Sequence, residues 1–104
     1  MNQASINIST SGDNTVITGV SGQVIKVYKL FLVVNAAVNL IFKNGASTNL
    51  TGTMNMLANG SVTLDNNHVN DPPWFVMSSG NGFVINLSSG QQVSGRVYYN
   101  IDPI

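Results

Sequence analysis

Residues 24–43, VIKVYKLFLVVNAAVNLIFK, form the longest apolar stretch in the chain, and its reading decides the fold. Leu30, Val33, Val34, Ala37, Val38 and Ile41 recur at helical spacing and would line one helix face. Three features oppose a helix. The first half is dense in β-branched and aromatic residues, which suit a pleated surface. Asn35 and Asn39 interrupt the second half, and asparagine favours turns because its amide bonds nearby backbone. The stretch then runs into Asn44-Gly45, a strong hairpin signal. We read two long strands, folded back on each other as a hairpin at Asn35-Ala36-Ala37. In residues 24–34 both alternate sets are mostly apolar: Val24, Lys26, Tyr28, Leu30, Leu32, Val34 and Ile25, Val27, Lys29, Phe31, Val33. A strand with two apolar faces needs cover on both, here one from the opposite sheet and the other from a neighbouring subunit. Phe31 is therefore expected to be buried, so that an aspartate there would prevent folding or assembly.

Outward from this stretch, Gly, Asn, Ser and Pro punctuate the chain every eight to twelve residues. Toward the N-terminus, residues 1–22 are polar, with brief alternation at Ile6 and Ile8 and again at Val16, Thr18 and Val20. Short edge strands are expected near residues 5–9 and 15–18, in a polar N-terminal arm (residues 1–22) that is either a loosely held terminus or lies on a neighbouring subunit, ahead of a single sandwich domain at residues 23–104. Deleting residues 1–14 is expected to leave that domain folded. Toward the C-terminus, strands are expected at residues 47–51, 53–57 and 61–64, with a tight hairpin at Asn59-Gly60. Further strands are read at 74–77, 83–88 and 93–101, separated by turns at Asn81-Gly82 and Ser89-Gly90. The last is the cleanest, with Val93, Gly95, Val97, Tyr99 and Ile101 on one face. Eight to ten short strands and no helix give an all-β chain, an antiparallel β-sandwich of jelly-roll-like form.

The 104 residues suffice for one domain with its own core. There is no cysteine, which excludes disulfides, thiolate metal sites and a cysteine nucleophile. Three lysines and one arginine balance four aspartates, with no glutamate. Such a neutral chain lacks the basic footprint of a nucleic-acid binder. Polarity comes instead from 33 Asn, Ser and Thr residues. The apolar run at residues 30–42 is too short to span a bilayer, so no membrane association is expected.

Two groups of residues have chemical potential. Asp65, His68 and Asp71 are spaced three apart in a polar loop, DNNHVNDPP at residues 65–73. One imidazole and no thiolate make a poor zinc site, and the loop lacks the glycine and closing glutamate of a calcium loop. No nucleophile, base and orienting group come together in the pattern, so neither catalysis nor a cofactor is expected. Trp74, Phe75, Tyr28, Tyr98 and Tyr99 could stack on a sugar. The alternative is a Trp74 that caps the core, its indole N–H bonded to a loop carbonyl.

The segments FKNGASTNLTGTMNMLANGSVTL (residues 42–64) and PWFVMSSGNGFVINLSSGQQVSGRVYY (residues 73–99) resemble small virion structural proteins of tailed bacteriophages. The shared order is a Phe-Lys-x-Gly turn, a Leu-Thr-Gly bend, a Gly-containing hairpin, a Pro-Trp-Phe lead-in, a Leu-Ser segment and a Val-Ser-Gly closing strand. The loop at residues 66–71 is not part of it. The resemblance implies a jelly-roll-like decoration or cement protein on the capsid surface, made in the host cytoplasm. Its partners would be the major capsid protein and further copies of itself, a homotrimer first and a dimer second. A carbohydrate-binding or host-attachment module of a tail fibre is the competing expectation. The candidate partner contacts are Ile6 and Ile8 from the arm, Lys26 and Lys29 on the two faces of the long strand, and Trp74 and Tyr98.

Overall fold

In a computed structural model that describes residues 1–66 and 72–104, the apolar stretch forms strands β3 (Gln23–Val34) and β4 (Val38–Asn44). They do not pair with each other. β3 pairs with β10 (Val93–Pro103), β7 (Ser61–Leu64) and β8 (Phe75–Val76). β4 pairs with β9 (Phe83–Leu87), β5 (Thr48–Asn49) and β6 (Met54–Met56). The expected hairpin at Asn35-Ala36-Ala37 is instead a crossing from one sheet to the other. Its ends are fixed across the fold, with Asn35 N–H donating to Gln92 O at 3.1 Å.

The remaining strands, β1 (Asn2–Ile8) and β2 (Gly12–Ile17), pair with β10 and β9 respectively. All pairings are antiparallel, and their order has a simple geometric meaning. β1 with β10, β2 with β9, β3 with β7 and β8, and β4 with β5 and β6 form one long two-stranded ribbon. Rolling that ribbon brings β10 onto β3 and β9 onto β4, giving sheet orders β1-β10-β3-β7 and β2-β9-β4-β5. This is the jelly roll, an antiparallel sandwich of ten strands, with no helix among the described residues.

Residues 1–22 are thus not an arm outside the sandwich. They supply an edge strand to each sheet, and Ile6 is buried in the core. Deleting residues 1–14 would remove β1 whole and take Ile6 out of the core.

A single extra residue resolves the two-faced pattern of β3. Against β10, Tyr98 stands opposite Lys29 and Tyr99 opposite Val27, leaving Tyr28 as a β-bulge. The inward phase therefore switches along the strand. Ile25 and Val27 point into the core on one side of the bulge, and Leu30, Leu32 and Val34 on the other. Phe31 and Val33 face outward and are 45% and 46% exposed. Phe31 is thus not covered by the opposite sheet, and of the two covers that the pattern calls for, this face is left the one from a neighbouring subunit.

Between the sheets, Phe42, Phe75 and Phe83 cluster, with edge-to-face contacts at 5.9 and 5.6 Å and a stacked pair at 6.3 Å. Asn44 is the one buried polar residue among those described. Its Oδ1 accepts from Ser78 N–H and Asn81 Nδ2, each at 3.0 Å, and its Nδ2 donates to Ser78 Oγ at 3.0 Å. That network ties the end of β4 to the loop leading into β9. The Asn44-Gly45 turn is a true hairpin, between β4 and β5, with Gly45 at φ 67°. Asn59 also has a positive φ of 64°, but its turn carries the chain from β6 in one sheet to β7 in the other.

Candidate functional site: the outer face of the long-strand sheet

Two outward faces result, and their chemistry differs. On the β2-β9-β4-β5 sheet, Asp13 accepts from Lys43 Nζ at 3.2 Å and from Asn86 Nδ2 at 2.8 Å. The Asn86 hydrogen bond, followed by Lys43, holds the Asp13 carboxyl below its ordinary value, against the opposing effect of burial. Asp13, Lys43 and Asn86 thus satisfy one another on this face.

The β1-β10-β3-β7 sheet presents a different surface. The bulge turns Phe31 and Val33 outward on the central strand. Their cross-strand neighbours are Thr63 and Ser61 on β7, and Arg96 and Ser94 on β10. On the other side of the bulge, β8 adds Val76, 49% exposed, opposite Lys26. The result is an apolar row bordered by small polar side chains and cations. Lys29 Nζ lies 5.3 Å from the centre of the Tyr98 ring, a cation–π contact. Lys26 pairs with Asp102 at 3.1 Å. Arg96 Nη1 donates to Gln3 Oε1 at 3.0 Å and, like Lys29, has no carboxylate partner among the described residues.

Of the residues proposed from sequence, Lys29 and Tyr98 are brought together here, and Lys26 lies beyond the bulge on the same strand. Trp74 precedes β8 and is half exposed. Its backbone N–H donates to Val27 O at 2.8 Å and its indole N–H to Asp65 O at 3.1 Å. The loop-carbonyl bond expected of a capping tryptophan is present, yet the ring is not sealed in the core. The Ile6 side chain is buried in the core, and Ile8 packs partly against the same core. Both alternate inward from β1, opposite Gly95 and Val93. Of the five aromatics read as a sugar platform, Phe75 belongs to the core cluster and Tyr99 packs against the core. Trp74, Tyr28 and Tyr98 remain. The outward Phe31, Val33 and Val76 were missed, since nothing in the alternation marks where the phase changes.

Beside Trp74 a cleft of about 340 Å³ is lined by Asp65, Asn66, Pro72, Pro73 and Trp74. Asn66 Nδ2 donates to Pro72 O at 3.1 Å, joining the two sides of the segment. His68 and Asp71, the other members of the Asp65-His68-Asp71 group, lie outside the described residues. Among the described residues no three His, Cys, Asp or Glu side chains gather as metal ligands would.

No known family model, curated protein or solved structure matches the chain.

Proposed function

We propose that this protein is a non-enzymatic structural component of a virus particle, a decoration or cement subunit on the capsid surface. The outer face of the β1-β10-β3-β7 sheet is the surface by which it docks on the major capsid protein. One observation carries the reading: Phe31 and Val33 project from the central strand of a sheet and stand about half exposed. An apolar centre with a polar rim is the anatomy of a protein–protein interface. A stable contact buries about 1,200–2,000 Å² in total, and many identical copies make modest contacts collectively strong. The chain as a whole has no net charge, so it can lie near a packaged genome without binding it unspecifically. The fold is compatible without choosing, since jelly rolls serve capsids and lectins alike.

The test is cosedimentation of the purified protein with undecorated capsid shells. Phe31→Asp and Val33→Asp remain folded, because both side chains are half solvated, and both lose retention on the shells. Retention equal to the parent protein by both folded variants would remove this face from the account.

The half-exposed Trp74 beside the cleft favours a second reading, a carbohydrate-binding or host-attachment module. There, Trp74→Ala abolishes signal on a glycan array and leaves shell binding unchanged. Under the cement reading the array is blank for the parent protein too.

A further inference from the structure

A sheet edge exposes a row of unpaired backbone N–H and C=O groups, and folded proteins blunt such edges with charge, proline, bulges or shortness. Three of the four edges here are blunted in one of these ways. β2 carries Asp13 and a register shift between Thr15 and Ile17. β5 and β6 are two and three residues long. β7 and β8 are short too, and Pro72 and Pro73 precede β8. β1 has none of these devices. Its seven residues, NQASINI, pair with β10 in unbroken register and contain neither charge nor proline. Beyond that ladder, no backbone group of β1 finds a backbone partner among the described residues.

We propose that β1 pairs antiparallel with β1 of a second copy, joining two sandwiches through one continuous sheet across a twofold axis at Ser5. The strand is self-complementary in this register, which overlaps all seven residues. Ser5 meets Ser5 of the second copy, Gln3 meets Asn7, and Ala4 meets Ile6, each in both directions. Gln3 Oε1 accepts from Arg96 and Asn7 Oδ1 accepts from Gln92 Nε2 at 2.8 Å, so both outward amides are anchored to the β10 side. Inside, Ala4 and Ile8 are only partly buried and flank the buried Ile6, so the paired strand extends each core toward the other. Net charge is zero, and no charged side chain on either β1 opposes the approach. A twofold contact of this kind closes on itself and yields a dimer, not a ring or filament. The pairing is independent of what the sheet face docks on.

Residues directly opposite in an antiparallel pair have Cα atoms about 4.5–5.5 Å apart, within the span of a disulfide. The chain has no cysteine, so Ser5→Cys introduces a lone thiol at the twofold axis. Mild oxidation of Ser5→Cys is expected to give a covalent dimer at least about tenfold faster than Ser61→Cys, a control on the opposite edge of the same sheet. Ser5→Lys, with its side chain on the exposed face, keeps the parent circular dichroism spectrum. It places like charges opposite each other and weakens the dimer roughly tenfold or more in sedimentation equilibrium. A parent protein that sediments as a monomer or a trimer, or equal crosslinking rates for the two cysteine variants, would overturn the proposal.

Discussion

Deleting one residue from β3 discriminates between a bulge and a regular two-faced strand. Removal of Tyr28 eliminates the extra residue opposite β10 and leaves Ile25, Val27, Leu30, Leu32 and Val34 all inward. Removal of Phe31 also restores a regular count, but it moves Lys29 into the position of the fully buried Leu30. The first deletion sacrifices one half-buried side chain and a local distortion, a cost of about 1–2 kcal/mol. The second forfeits a buried leucine, about 2–5 kcal/mol. It adds the burial of an unpaired ammonium, several kcal/mol more even after water penetrates. Their sum exceeds about 5 kcal/mol, the lower bound of a typical domain's whole stability. Urea denaturation followed by Trp74 fluorescence and far-ultraviolet circular dichroism reads both. The Tyr28 deletion should unfold cooperatively at a lower midpoint, and the Phe31 deletion should show no folded baseline. Equal loss in the two proteins, or a folded Phe31 deletion, would refute the phase switch.

Three other substitutions probe the interior and the polar face. Gly95→Ala places a Cβ against the Phe31 carbonyl where β10 approaches β3, so it should lose about 1–3 kcal/mol in urea denaturation as the strands are pushed apart. Asn44→Ala removes the side-chain bonds that hold Ser78 and Asn81 to the end of β4 and should cost about 0.5–1.5 kcal/mol per bond lost, read as a lower thermal midpoint. Asp13 contributes stability that is complete above its ordinary value of 3.8 and is lost as pH falls through its lowered folded value. Asp13→Asn should therefore flatten the decline of the thermal midpoint in that acid range and leave the slope near neutrality unchanged.

Much of the fold was legible because strands announce themselves locally. The last strand alternates cleanly from Val93 to Ile101, and Phe83, Ile85 and Leu87 face inward as their spacing implies. Asn44-Gly45 and Asn59-Gly60 both mark turns. A turn signal, however, says that the chain reverses and not which sheet receives it. At Asn44 the next strand pairs back onto β4, whereas after Asn59 it enters the other sheet, with the same Asn-Gly dipeptide at both places. The same ambiguity produced the mistaken hairpin at Asn35.

The candidate surface was less legible for a related reason. Lys29 and Tyr98 were singled out separately, and only the pairing of β3 with β10 sets one over the other. The face that Phe31 takes was hidden because a bulge belongs to two strands at once, and its register partner lies 65 positions away at Arg96. Composition and periodicity alone determined that this chain forms β-strands around an apolar core, since burial and backbone preference act on each residue where it stands. Which strands pair, where the inward phase changes and which apolar side chains face solvent were decided only by the rolled tertiary structure. Those properties come from hydrogen bonds between segments that a linear reading holds apart.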